Sequence, residues 1–182
     1  MRKLTCVLIG VVAIVFCGAC TRDDATSCIR EEHISTKRTV LIYMAASNNL
    51  NFYGFDDADI AEMEEGIDGV RDLTNCNVLL YIQKGRGVQR EQPVLRKLIR
   101  SKEPGSSSYI GEWEDVKVYP MQNSVSVEVM EQVFIDAYTE FKADQNGLIL
   151  WSHADGWLEG TPQSHTRWYG EDQLNGISYK MD

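Results

Sequence analysis

Three short, almost purely apolar runs limit what this sequence can fold into more than any other feature. Thr39 to Ala45 (TVLIYMA), Asn77 to Gln83 (NVLLYIQ) and Gly147 to Ser152 (GLILWS) hold six or seven residues each, mostly β-branched and aliphatic. They do not alternate apolar with polar, so they read as strands buried on both faces. Between the first two, Asp57 to Val70 spaces Ile60, Met63, Ile67 and Val70 three and four apart, with acids at its start where a helix dipole favours them. Gly66 and Gly69 should end or fray that helix. Before the third run, Ser126 is a suitable N-cap. Val127, Met130, Phe134, Ala137, Tyr138 and Phe141 then form one apolar stripe of about four to five turns. Residues 92–101 and 107–120 carry strand-like PVLRKLIR and WEDVKVYP around the turn-forming EPGSSS, a peripheral antiparallel pair. Apolar strands alternating with helices predict an α/β chain, a three-layer α/β/α sandwich with a mostly parallel sheet.

The first 19 residues stand apart from that domain. Arg2 and Lys3 precede an apolar run from Leu4 to Phe16, too short for a stable membrane span. Gly18, Ala19 and Cys20 follow. This order is that of a secretory signal, and small residues directly before a cysteine resemble the lipobox of bacterial lipoproteins. The expectation is removal of residues 1–19 and lipidation at Cys20. The chain would then be exported and lipid-anchored to the cell envelope at the outer membrane, facing the periplasm or the surface. Residues 20–37 are polar and aperiodic, a flexible tether, and the folded part is 38–182. Asp23 and Asp24, just after the lipidated position, resemble surface-export signals of some Bacteroidetes lipoproteins, and equally fit a plain solvated tether.

Charge and cysteine usage exclude several functions. Losing Arg2 and Lys3 lowers the basic count from 18 to 16 against 27 acids, a net charge of −11. So acidic a domain is unsuited to nucleic acid, which needs a basic surface. No glycine-rich phosphate loop follows any strand, which disfavours a nucleotide-type binding domain. Of five cysteines, Cys6 and Cys17 leave with the signal, and Cys28 lies in the tether. Cys76 opens the second strand, a poor partner for a Cys28 disulfide. No Cys/His grouping has zinc spacing and no Asp-rich calcium loop appears, so neither metal nor cofactor is expected.

In a parallel sheet, functional groups gather at the C-terminal edge of the strands. Two loops fall there: SNN after the first strand, and HADGW after the third. His153 on a rigid strand end is placed as acyl-transfer chemistry wants a base. The same residues also fit a histidine hydrogen-bonded in a surface loop, so alone they leave both readings open.

The phrase TVLIYMAASNNL (39–50) resembles the opening strand of the clostripain family of cysteine peptidases. The acidic helix with Glu62-Met63 and NVLLYIQKGR (77–86) resemble the next two elements, and LILWSHADGW (148–157) is similar to the block that delivers the family's histidine. In this order the segments cover nearly all of residues 38–182. The resemblance implies a caspase-like fold, incomplete at the C-terminus, with His153 as catalytic histidine. It implies hydrolysis of a peptide or protein substrate after Arg or Lys. The residue after this histidine is usually glycine, with its N–H near the oxyanion; Ala154 keeps that N–H but not glycine's conformational freedom.

The family nucleophile is a cysteine ending the next strand. After His153 the sequence has 29 residues and none is cysteine. NGISYKMD resembles the point where the family chain enters the helix before that strand. The expectation is therefore the N-terminal, histidine-bearing part of a peptidase, inactive alone and needing the C-terminal part as partner. The alternative is a truncated or degenerate surface lipoprotein acting as a binding module. Family members are processed after a basic residue between histidine and cysteine; Arg167 is the first candidate here and Lys180 the second. Asp155, Asp172, His33 and His165 read as solvated, and Asn48 and Asn49 as turn formers.

Overall fold

The computed structural model describes residues 36–85, 89–102, 104–154, 168–174 and 177–181. The chain divides into Met1–Ile34 and Ser35–Asp182, and every described residue belongs to the second unit. The apolar runs form strands β1 (Arg38–Ala45), β2 (Cys76–Gln83) and β5 (Gln145–Trp151). Strands β3 (Val94–Lys102) and β4 (Tyr109–Val118) are the expected antiparallel pair, and the sheet order is β4-β3-β2-β1-β5. β1 pairs in parallel with β2 and with β5, and β3 is antiparallel to both neighbours, so four of the five strands share one direction.

Side chains alternate across the sheet and build a core on each face. Leu41, Tyr43, Leu79, Tyr81 and Leu95 face helix α3 (Val127–Glu140), which buries Met130, Val133 and Ala137 against them. Ile42, Met44, Leu80 and Ile82 face the other way, where Ile60 and Met63 of helix α2 (Phe55–Gly66) cover them with Trp113 and Trp151. This is the three-layer α/β/α arrangement the periodicity predicts. Tyr43 and Tyr81 stack in the centre, centroids 4.5 Å apart. Burial pushes the Tyr81 phenol up to about 12, which keeps it neutral at any physiological pH.

Local details depart from expectation in instructive ways. Ser126 does cap α3, accepting from the Val129 N–H at 3.3 Å. The stripe is rotated, however: Val127 is 65% exposed and Val133 is fully buried. Helix α2 starts at Phe55, two residues early, because Gly54 takes a left-handed conformation at its N-cap (φ 75°) and turns the chain into it. The helix ends at Gly66 and a 3₁₀ turn, Ile67–Gly69, follows. Gly111 of β4 permits the close approach of α2: a Cβ there would lie 2.8 Å from Leu98 Cδ1 and 2.9 Å from Glu64 Cα.

The final stretch, to which no sequence pattern assigns an element, forms a hairpin of β6 (Tyr169–Leu174) and β7 (Ile177–Met181). A strand-to-strand ladder satisfies its backbone. Among the described residues no helix is long and apolar enough to cross a membrane.

Candidate active site

The C-terminal ends of β1 and β5 lie side by side, with Met44 opposite Trp151 in the parallel ladder. The SNN loop and the His153–Ala154 strand end therefore emerge together. Asn48 is the hub between them and is fully buried. Its Nδ2 donates to the Ala45 carbonyl at 2.9 Å, the Glu171 carbonyl at 2.9 Å and Ser152 Oγ at 3.3 Å. Its Oδ1 accepts from the Leu50 N–H at 2.9 Å, which caps the short helix α1 (Asn49–Phe52). Ser152 repeats the pattern, donating to the Ala45 carbonyl at 2.9 Å and accepting from the Glu171 N–H at 3.1 Å. Asn48 is thus a turn former, as read, and also a buried tie between three chain segments.

His153 follows Ser152 directly. Its carbonyl accepts from the Gly170 N–H at 2.7 Å, and Ala154 forms an antiparallel bridge with Tyr169. The backbone around the histidine is therefore tied to β6. Its half-buried ring meets Asn49, with Nε2 against Oδ1. Ala154 is exposed beside it, on the same strand end. Glu171 lies close enough for its carboxylate to feel the His153 charge. Burial acts to raise that carboxyl, but hydrogen bonds from Ser178 and Gln173 and the charges of His153 and Lys180 hold it below the usual carboxylate range.

Asp172 corrects the reading of a solvated loop acid. It is fully buried, with its carboxylate 2.8 Å from Arg90 Nη2. The Ser124 N–H and hydroxyl donate to it at 2.6 and 2.7 Å, and Arg90 also donates to the Gln122 carbonyl at 2.9 Å. Together with a 2.8 Å bond from the Gln173 N–H to the Ser47 carbonyl, this clamp pins β6 across the sheet's C-terminal edge. Tyr169 completes it, donating to the Tyr43 carbonyl at 3.3 Å.

Cys76 sits at the far end of the sheet. It pairs with Arg38 at the start of β1, six ladder positions before Met44, so roughly 20 Å of strand separates it from the histidine end. Its thiol is free and shares a cleft with Lys37, Arg38, Asp72 and Gln145. It is not brought to His153. Lys180 lies exposed within β7, its ammonium 3.9 Å from the Trp168 ring centroid. Cys20, Arg167, His33, His165 and Asp155 lie outside the described residues. Among the described residues no group of three or more His, Cys, Asp and Glu side chains is placed to hold a metal ion.

The outer side of β5 is open. Leu148, Ile149 and Leu150 are 43%, 51% and 44% exposed, although consecutive residues point to opposite faces. Both faces of this strand are therefore uncovered, and no described strand pairs with its outer edge. Two residues of this site, Asn49 and Glu171, carried no chemical signal in the sequence beyond the position of Asn49 in an edge loop.

Residues 42–179 match the model of the clostripain family. The chain is 35% identical to a Bacteroides fragilis cysteine protease of known structure, with a TM-score of 0.55, over 71% of this chain and 98% of that one. It is 34% identical to a secreted C11 cysteine protease from Bacteroides thetaiotaomicron, solved with an irreversible peptide inhibitor, with a TM-score of 0.61. That match covers 80% of this chain and 36% of that one. No curated protein matches.

Proposed function

The chain belongs to the clostripain family of cysteine peptidases, and from that premise we propose that residues 38–182 supply the histidine of a peptide-cleaving Cys-His pair whose cysteine arrives on polypeptide seated against β5. The open edge of β5 carries this reading: an unpaired strand with three exposed aliphatic residues adjoins the strand end that holds His153. A strand added there would bring its own C-terminal end beside the imidazole. The position of Cys76 supports the same division of labour, since no movement short of unfolding would carry it to His153.

In the assembled site the imidazole takes the thiol proton, the thiolate attacks the scissile carbonyl, and the imidazolium returns that proton to the leaving amine. The backbone N–H of Ala154 is the proposed oxyanion donor. Cleavage after Arg or Lys, processing at Arg167, lipidation at Cys20 and display at the cell envelope belong to the same proposal. The resemblance and the N-terminal sequence support them. The test is expression of this chain together with the polypeptide encoded after it. Cleavage of Arg- and Lys-containing peptides is expected, and should vanish in His153→Ala. Activity that survives that substitution would refute the assignment of the base.

A further inference from the structure

We propose that Asn49 is the positioning residue of this histidine: its side-chain carbonyl holds the ring proton on Nε2 and so leaves Nδ1 bare to serve as the base. The inference rests on the reading of His153 as the base and adds which nitrogen acts and what selects it. A neutral imidazole carries one N–H, and an amide oxygen can only accept. With Asn49 Oδ1 against Nε2, the proton belongs on Nε2 and the Nδ1 lone pair is free.

The surroundings make the contact a device rather than a chance meeting of surface groups. Asn49 is the first residue of α1, a helix one turn long that is tied at both ends. Asn48 fixes its start with the four hydrogen bonds described above. Asn51 fixes its end, donating to Asp56 Oδ2 at 2.9 Å and accepting from the Gly85 N–H at 3.0 Å. His153 has its backbone tied to β6 by the Gly170 N–H, within the Ala154–Tyr169 bridge. What remains free is rotation of the ring, and among the described residues Asn49 is the group that hydrogen-bonds it. Glu171, the carboxylate that senses His153, is otherwise engaged: its Oε1 accepts from Ser178 at 2.6 Å and Gln173 at 3.3 Å.

The arrangement suits both halves of the reaction. When the thiol S–H bond breaks and an Nδ1–H bond forms, the Nε2–H donor stays in place and becomes charge-assisted. The proton then leaves Nδ1 for the amine without any change of partner at Nε2.

Histidine ring ¹⁵N spectra of the labelled 182-residue chain test this without requiring activity, at a pH where the ring is neutral; His153→Gln assigns the signal. The expected result is an Nε2–H tautomer whose proton exchanges slowly with water. In Asn49→Ala that exchange should quicken about tenfold, the equilibrium weight of one hydrogen bond, and the tautomers should mix. Asn49→Asp keeps an acceptor and should keep the Nε2–H form. In the assembled peptidase, Asn49→Ala should lower kcat roughly 10- to 100-fold at unchanged KM, with partial recovery in Asn49→Asp. An Nδ1–H tautomer in the parent, or a ring unchanged in Asn49→Ala, would overturn the proposal. An assembled protein that cleaves nothing while the ring behaves as expected would instead overturn the functional reading.

Discussion

The two edges of the central sheet are built on opposite plans. At the β4 edge the outward residues Glu112, Glu114, Asp115 and Lys117 are charged and exposed, and Arg96 ties β3 to β4 through Asp115 at 2.7 Å. Charge along an edge discourages another strand from pairing there, and this edge ends the sheet. At the β5 edge Leu148, Ile149 and Leu150 stand in solvent with no charge among them. The apolar edge is the one that carries His153, and it is there that the proposed cysteine-bearing polypeptide would be seated.

The β5 end is secured from above instead of from the side, and the largest expected effect probes that difference. Asp172→Ala leaves the Arg90 charge buried without its partner, which costs about 3–5 kcal/mol, a large share of a domain's stability. Denaturant unfolding would measure the loss. Amide exchange should show it concentrated in β5 and β6, with β3 and β4 retaining protection; a uniform loss would break the contrast between the edges. Next in size is self-association. The 182-residue chain should associate through β5, and Ile149→Lys should weaken this by at least roughly tenfold by sedimentation, since an edge lysine resists pairing. Val118→Lys on β4 should change nothing. Equal responses at the two edges would refute the asymmetry. The smallest effect belongs to the exposed Arg96–Asp115 pair: Arg96→Ala should cost about 0–1 kcal/mol, fading with added salt.

These contrasts also mark what the sequence could and could not reveal. The three apolar strands, the antiparallel pair and the Ser126 cap were legible because each depends on a local pattern of residues or on one capping side chain. The resemblance located His153 through residues adjacent to it. The clamp was invisible, since Arg90 and Asp172 are 82 positions apart and each alone looks like a surface charge. So was the meeting of Asn49 and His153, 104 positions apart. The β6–β7 hairpin was missed because YGEDQL and ISYKM are short and mixed in polarity, and tertiary contacts to Ser47, Ser152 and His153 place β6 where its own sequence does not. The Val127 and Val133 exchange has the same origin: the stripe gives a face, and packing against the sheet sets its rotation.

The central proposal is that His153 supplies the base of a catalytic pair whose cysteine lies on other polypeptide. Incubation of the purified 182-residue chain with Arg- and Lys-containing peptides tests it most directly. The account predicts cleavage no faster than that of the His153→Ala variant. Turnover by the parent chain alone, lost on His153→Ala, would contradict it.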